Sequence, residues 1–255
     1  MSATGEPRGD RIAKWLSRAG VASRRDVERM LTEGTIKLNG RTVTHPATFV
    51  CAEDTVQVNG KVVDQPDRTR VWRYHKPEGL VTTHKDPEGR PTVFDKLRLQ
   101  LPRVVSVGRL DLTSEGLLLL TNDGGLARQL ELPATGWLRR YRVRVFGVPS
   151  EGALKSLAKG VTVEGVRYGP IEAEVDAKKG DNTWLTLSLR EGRNREIRRV
   201  MAHLGLSVSR LIRVAYGPFQ LGTLERGGIE EIPARVLRQQ LPADAGAPPP
   251  LPRSR

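Results

Sequence analysis

The run Gly108-Arg109-Leu110-Asp111-Leu112-Thr113-Ser114-Glu115-Gly116 passes directly into Leu117-Leu118-Leu119-Leu120-Thr121-Asn122. It sets one carboxylate, Asp111, beside an arginine and a few residues ahead of four leucines. A short apolar run bounded by polar residues has the length of a strand buried on both faces, although a buried helix segment can look the same. An acid anchored next to such an element is held still, and a fixed ionised carboxylate can act as a nucleophile or as a general base. Metal chemistry is not indicated: His45, His75, His84 and His203 lie without ligand spacing. Cys51 is the sole cysteine, so neither an internal disulfide nor a thiolate cluster can form, which fits a reducing cytosol. Asp123-Gly124-Gly125 lacks the Lys-Ser/Thr of a phosphate loop and reads as a turn, as does Gly227-Gly228.

The charge balance indicates what the acid works on. Lys and Arg number 42 against 29 Asp and Glu, a net charge of +13 over 255 residues. The excess gathers on particular elements, which points to a polyanionic partner and favours nucleic acid. The first ten residues lack an apolar core and do not read as a signal peptide. No stretch approaches the ~18 apolar residues of a membrane span. The expectation is a cytoplasmic protein without membrane contact.

Two units are expected to present these groups. Residues 1–9 are polar and read as disordered. In 10–63, Ile12, Trp15, Leu16 and Ala19 fall at helical spacing up to Gly20; Ser23 is an N-cap for a second helix carrying Val27, Met30 and Leu31, stopped at Gly34. Asn39-Gly40 and Asn59-Gly60, each flanked by alternating apolar residues, are hairpin signals. Residues 64–70 read as a linker. Residues 71–241 hold strand patterns at Val71–His75, Val104–Val107, Leu117–Thr121, Tyr141–Phe146, Ile171–Val175, Trp184–Leu189 and Val208–Val214. Helical patterns lie at Leu126–Leu132, Ser150–Ala158 and Asn194–Leu204. Strands come in runs rather than alternating with helices, so the fold class is α+β with a mixed, largely antiparallel sheet and flanking helices. Residues 242–255 read as a disordered basic Ala/Pro tail.

On the first helix Arg11, Lys14 and Arg18 share one face, and Arg24, Arg25 and Arg29 decorate the second. A solvated face is the ordinary explanation of such a run. Six cations in nineteen residues, against only Asp26 and Glu28, favour phosphate contact. Arg11-Ile12-Ala13-Lys14-Trp15-Leu16, Ala19-Gly20-Val21-Ala22-Ser23-Arg24-Arg25 and Ile36-Lys37-Leu38-Asn39-Gly40 resemble the small RNA-binding module named after ribosomal protein S-four. That resemblance implies a structured RNA partner, gripped by shape and phosphates.

The second unit resembles the bacterial ribosomal pseudouridine synthases of the RsuA/RluB type. The matching segments are His75-Lys76-Pro77-Glu78-Gly79-Leu80-Val81-Thr82, Gly89-Arg90-Pro91-Thr92-Val93-Phe94-Asp95, the Gly108–Asn122 run, Arg140-Tyr141-Arg142-Val143, Glu191-Gly192-Arg193-Asn194-Arg195-Glu196-Ile197-Arg198-Arg199 and Leu211-Ile212-Arg213. The resemblance implies Asp111 as the catalytic acid and Arg198 as the guanidinium that keeps it ionised. It also implies Tyr141 as a stacking platform for an extruded base and Ile197 as a second packing surface. Arg109 is expected to contact RNA or order the loop, and Lys76 and Arg90 to contact RNA. The implied reaction moves the sugar from N1 to C5 of uracil and exchanges no electrons, so no cofactor is expected. The implied partner is ribosomal RNA or an assembling ribosomal subunit, bound by a monomer. The implied target is a uridine 2605-type site of 23S rRNA near the peptidyl-transferase centre. A 16S rRNA synthase and a non-catalytic assembly factor are the alternatives.

Overall fold

A computed structural model describes residues 9–132 and 135–241. They divide into two compact units, with the boundary between Thr69 and Arg70. The expected disorder of 1–9 and 242–255 concerns, apart from Gly9, segments outside the described residues.

The first unit runs β1 (Asp10–Arg11), α1 (Ile12–Arg18), α2 (Arg24–Thr32), β2 (Ile36–Leu38), β3 (Arg41–Thr42), β4 (Phe49–Val50), β5 (Val56–Val58) and β6 (Lys61–Val62). The Ser23 hydroxyl caps α2, accepting from the Asp26 amide at 3.1 Å. Asn39-Gly40 and Asn59-Gly60 both have positive φ at the two central positions, the geometry of a hairpin turn that matches strand twist. The two hairpins pair through β2 and β5 into a four-stranded sheet ordered β3-β2-β5-β6. Ile12, Trp15 and Leu16 pack with Val27 and Leu31 against Ile36, Val56 and Val58.

The second unit runs β7 (Val71–Lys76), α3 (Val93–Leu97), β8 (Val105–Val107), β9 (Glu115–Thr121), α4 (Gly124–Glu131), β10 (Arg139–Phe146), α5 (Glu151–Ser156), β11 (Val161–Val163), β12 (Val166–Tyr168), β13 (Ile171–Lys179), β14 (Asn182–Leu189), α6 (Glu196–His203), β15 (Ser207–Tyr216), β16 (Phe219–Gln220), β17 (Ile229–Glu231) and α7 (Ala234–Gln240). Among the described residues its main sheet has the order β13-β14-β10-β15-β9-β7-β17, with β8 added to β9 and β16 to β15. The architecture is α+β and the sheet is mixed, since β9 and β15 pair in parallel while its other ladders are antiparallel.

Every residue of β9 is buried. Its leucines alternate between two cores. Leu117 and Leu119 meet Leu126 and Leu130 of α4, whereas Leu118 and Leu120 meet Trp72, Tyr74, Val93 and Leu110. This strand anchors the segment bearing Asp111. The parallel pairing with β15 sets Arg213 against Gly116. A Cβ on Gly116 would stand 2.3 Å from the Arg213 carbonyl oxygen, and its φ is +101°, so only glycine admits the approach. A third core, of Tyr141, Val143, Leu185 and Leu187, is covered by Ile197, Val200 and Met201 of α6.

Two local expectations are corrected. Asp123-Gly124-Gly125 is not a free turn: the Asp123 carboxylate accepts from the amides of Gly125 (2.8 Å) and Leu126 (3.2 Å) and caps α4. The linker stops short of Arg70, whose amide donates to Asn122 Oδ1 at 2.8 Å and so belongs to the second unit.

Candidate active site

A cleft of about 530 Å³ opens in the second unit where the loop before β9 faces β10, β15 and the start of α6. Its walls include Asp111, Tyr141, Ile197, Leu211 and six arginines, Arg90, Arg109, Arg139, Arg193, Arg195 and Arg213. Asp111 is half-buried, and Tyr141 and Ile197, which line the same cleft, are 8% and 5% exposed. Such a cleft attracts a polyanion while placing the Asp111 carboxylate in the same pocket as apolar and aromatic surface, with Glu131 and Glu196 as its other acidic lining residues.

The loop is fixed carbonyl by carbonyl. Leu110 O accepts from the Thr82 hydroxyl at 2.8 Å. Asp111 O accepts from Lys76 Nζ at 3.1 Å and from the Ser114 amide at 3.0 Å. Leu112 O accepts from the Gly79 amide at 2.8 Å. Thr113 O accepts from Arg198 Nη2 at 3.0 Å, and Ser114 O from Lys76 Nζ at 2.9 Å. Five consecutive carbonyls are thus satisfied, the great majority by groups outside the loop. A loop so tethered has little freedom to rotate, which is what a positioned acid requires.

Lys76 is the centre of this arrangement and corrects its expected role. It is wholly buried, so it has no surface to offer RNA. Its third donor goes to Pro77 O at 2.9 Å. Burial draws its ammonium down to about 8, against the opposing pull of the Asp111, Glu115 and Glu78 charges.

Arg198 also lies differently from its expected place. It is not part of the cleft wall. Its guanidinium reaches backbone oxygens, Thr113 O and Val208 O (3.2 Å), instead of forming an ion pair with the Asp111 carboxylate. The two still interact through space: burial and Arg195 lower the Arg198 pKa, and the Asp111 charge opposes them. Arg109 is exposed on the cleft wall. Arg90 lines it too, but its guanidinium is bound to Asp86 at 2.8 and 3.1 Å, which holds the Asp86 carboxyl below its usual range.

Sequence reasoning gave no role to Arg213. It is 3% exposed, lies across from Tyr141 in the β10–β15 register, and donates Nε to Leu117 O at 2.7 Å. Its guanidinium stands 5.0 Å from the Tyr216 ring centroid, as does that of Arg139. The signal available was its place in Leu211-Ile212-Arg213; nothing local marked it as buried.

Behind the loop, Glu115 is a buried carboxylate held by Arg210 at 2.7 and 3.1 Å, with Arg226 at 3.6 Å. Arg210 accounts first for its lowered pKa. A depressed folded value means the pair's stabilisation is present above the unfolded carboxylate range and is lost as pH falls through the folded value. Glu115→Gln is expected to cost about 2 kcal/mol at neutral pH, the scale of a charge-assisted hydrogen bond, and to flatten the acid side of the stability profile. Urea titrations between pH 3 and 7 check this.

In the first unit Arg11, Arg24, Arg25 and Arg29 are exposed. Lys14 and Arg18 instead converge on Asp10, at 2.6 and 3.3 Å. Arg29 pairs with Asp26 at 3.2 Å.

A family model described as RNA pseudouridylate synthase matches residues 70–203, and the S4 domain model matches 10–56. An RNA pseudouridine synthase of Rickettsia prowazekii, itself uncharacterised, is 45% identical over 231 residues, covering 91% of this chain and 97% of the relative. The ribosomal large subunit pseudouridine synthase B of Pasteurella multocida is 43% identical, covering 88% of this chain and 67% of the relative. A crystal structure of a pseudouridylate synthase superposes with a TM-score of 0.63 at 24% identity, over 90% of this chain and 98% of that one. The family model and these relatives make the chain an RNA-modifying isomerase. The chain belongs to the RNA pseudouridine synthase family and carries an S4 domain.

Proposed function

We propose that this protein converts one uridine of large-subunit ribosomal RNA, near the peptidyl-transferase centre, to pseudouridine. The supporting observation is the cleft that joins a tethered carboxylate, Asp111, to Tyr141 and Ile197 within a ring of arginines. The target base leaves its stack, Tyr141 offers it a replacement surface, and Ile197 packs beside it. Asp111 acts at the anomeric carbon as nucleophile or base. The N1–C1′ bond breaks, the uracil turns, C5 bonds to C1′, C5 loses its proton and N1 gains one. Arg198, beneath the loop, holds the Thr113 carbonyl and so helps fix the segment that carries the acid. Arg109 and Arg90 meet the surrounding phosphates, Arg90 by exchanging Asp86 for RNA.

The S4 unit, residues 10–63, grips the RNA through Arg11, Lys14, Arg18, Arg24, Arg25 and Arg29, joined by a short linker to the catalytic unit. The protein works in the cytoplasm as a monomer on rRNA or an assembling subunit. The large-subunit assignment leans on the names of relatives such as that of Pasteurella multocida. The test is to incubate the purified protein with transcribed large- and small-subunit rRNA of its source organism and map pseudouridine by mass spectrometry. One new pseudouridine in the large-subunit RNA is expected. A product in the small-subunit RNA alone overturns the target, and no product in either RNA or in the subunit assembly particles that contain them overturns the activity.

A further inference from the structure

We infer that the Thr82 hydroxyl is a positioning group for Asp111. Thr82 is 7% exposed and lies on the segment after β7, 28 residues before its partner. Its hydroxyl donates to Leu110 O at 2.8 Å and accepts from Leu110 N at 3.4 Å. The Leu110 carbonyl belongs to the peptide plane that enters Asp111. The plane that leaves it is held by Lys76 and the Ser114 amide at Asp111 O. Two fixed planes define φ and ψ of Asp111, and with them the direction of its Cα–Cβ bond. Thr82 is itself braced: the Val81 amide donates to Pro91 O and the Val93 amide to Val81 O, each at 3.0 Å.

The inference rests on Asp111 being the reacting carboxylate. Thr82→Val keeps the volume and removes only the hydroxyl, leaving both polar groups of Leu110 unsatisfied in a buried place. Because small misplacements of a reacting group cost up to about 100-fold, Thr82→Val is expected to lower the single-turnover rate by about 30-fold. RNA affinity should remain within about twofold, since no phosphate contact is lost. Thr82→Ser, which restores the hydroxyl, should recover the rate to within about threefold.

Rates and affinities are measured on the same RNA at a temperature where circular dichroism shows each variant folded. A Thr82→Val rate equal to wild type overturns the inference. So does a folded Thr82→Ser as slow as Thr82→Val, or a loss of affinity equal to the loss of rate. A wild-type chain inactive on every rRNA tested would instead remove the parent assignment, which separates the two failures.

Discussion

Asp111→Asn is expected to lower pseudouridine formation by at least about 10³-fold, within the range carried by a nucleophile or general base. Affinity for the same RNA should stay within about twofold. The amide is nearly isosteric with the carboxylate, and the Asp111 contacts that tie down the loop are made by its backbone carbonyl, not its side chain. The variant therefore removes the reactive oxygens and leaves the cleft assembled. Single-turnover assays by mass spectrometry and filter binding on one RNA check the two halves. Product formation at an undiminished rate would remove Asp111 from the chemistry. A parallel collapse of binding would mean that the side chain holds RNA rather than reacting with it.

Lys76→Met is expected to cost about 4 kcal/mol and to lower the rate by at least about 100-fold. The carbonyls of Pro77 and Ser114 lose the Lys76 donor, and that of Asp111 keeps only the Ser114 amide. An orphaned buried acceptor costs about 1–3 kcal/mol, and relief from burying an ammonium returns part of the sum. The wild type carries a related pH signature. With a folded value of about 8 against 10.5 for the free side chain, the unfolded chain binds more protons between those limits. The Lys76 contribution to stability therefore rises with pH across that window. A neutral amine has two N–H groups for three carbonyls, so the loop loosens and the rate declines above about pH 8. Denaturant midpoints and single-turnover rates from pH 7 to 10 should move in opposite directions in the wild type. The alkaline rise in stability should be absent from Lys76→Met.

Much of the fold is local in origin and legible in the chain. The Asn-Gly turns require positive φ and declare the hairpins of the first unit. The spacing of Ile12, Trp15 and Leu16, and the Ser23 cap, declare its helices. Four leucines in a row declared a strand buried on both sides, and each leucine does find a core on one face or the other. Asp111 stood out as a candidate because of its place beside that strand and within the segment that resembles the synthases. Several of the shortest pieces were not legible: α3, β11, β12, β16 and β17 carry too few residues for a periodic signal and owe their form to what they pack against.

Among the charged residues the sequence distinguishes type but not environment. Lys76 and Arg213 look like the surface cations around them, yet both are buried. Arg198 reads as a partner for the carboxylate, yet its donors go to carbonyls of neighbouring segments. By itself the sequence determined the strand that follows Asp111, the two helices that carry the cations from Arg11 to Arg29, and the excess of positive charge. Tertiary structure decided which donors hold the acid. Lys76 meets Asp111 and Ser114 across 35 and 38 residues, and Arg213 meets Leu117 across 96. Those partnerships follow from strand order and from the parallel seam at Gly116 and Arg213. Hydrogen bonds of such range exist only once the sheet has closed, because every buried carbonyl must find its donor among the segments that assembly brings near.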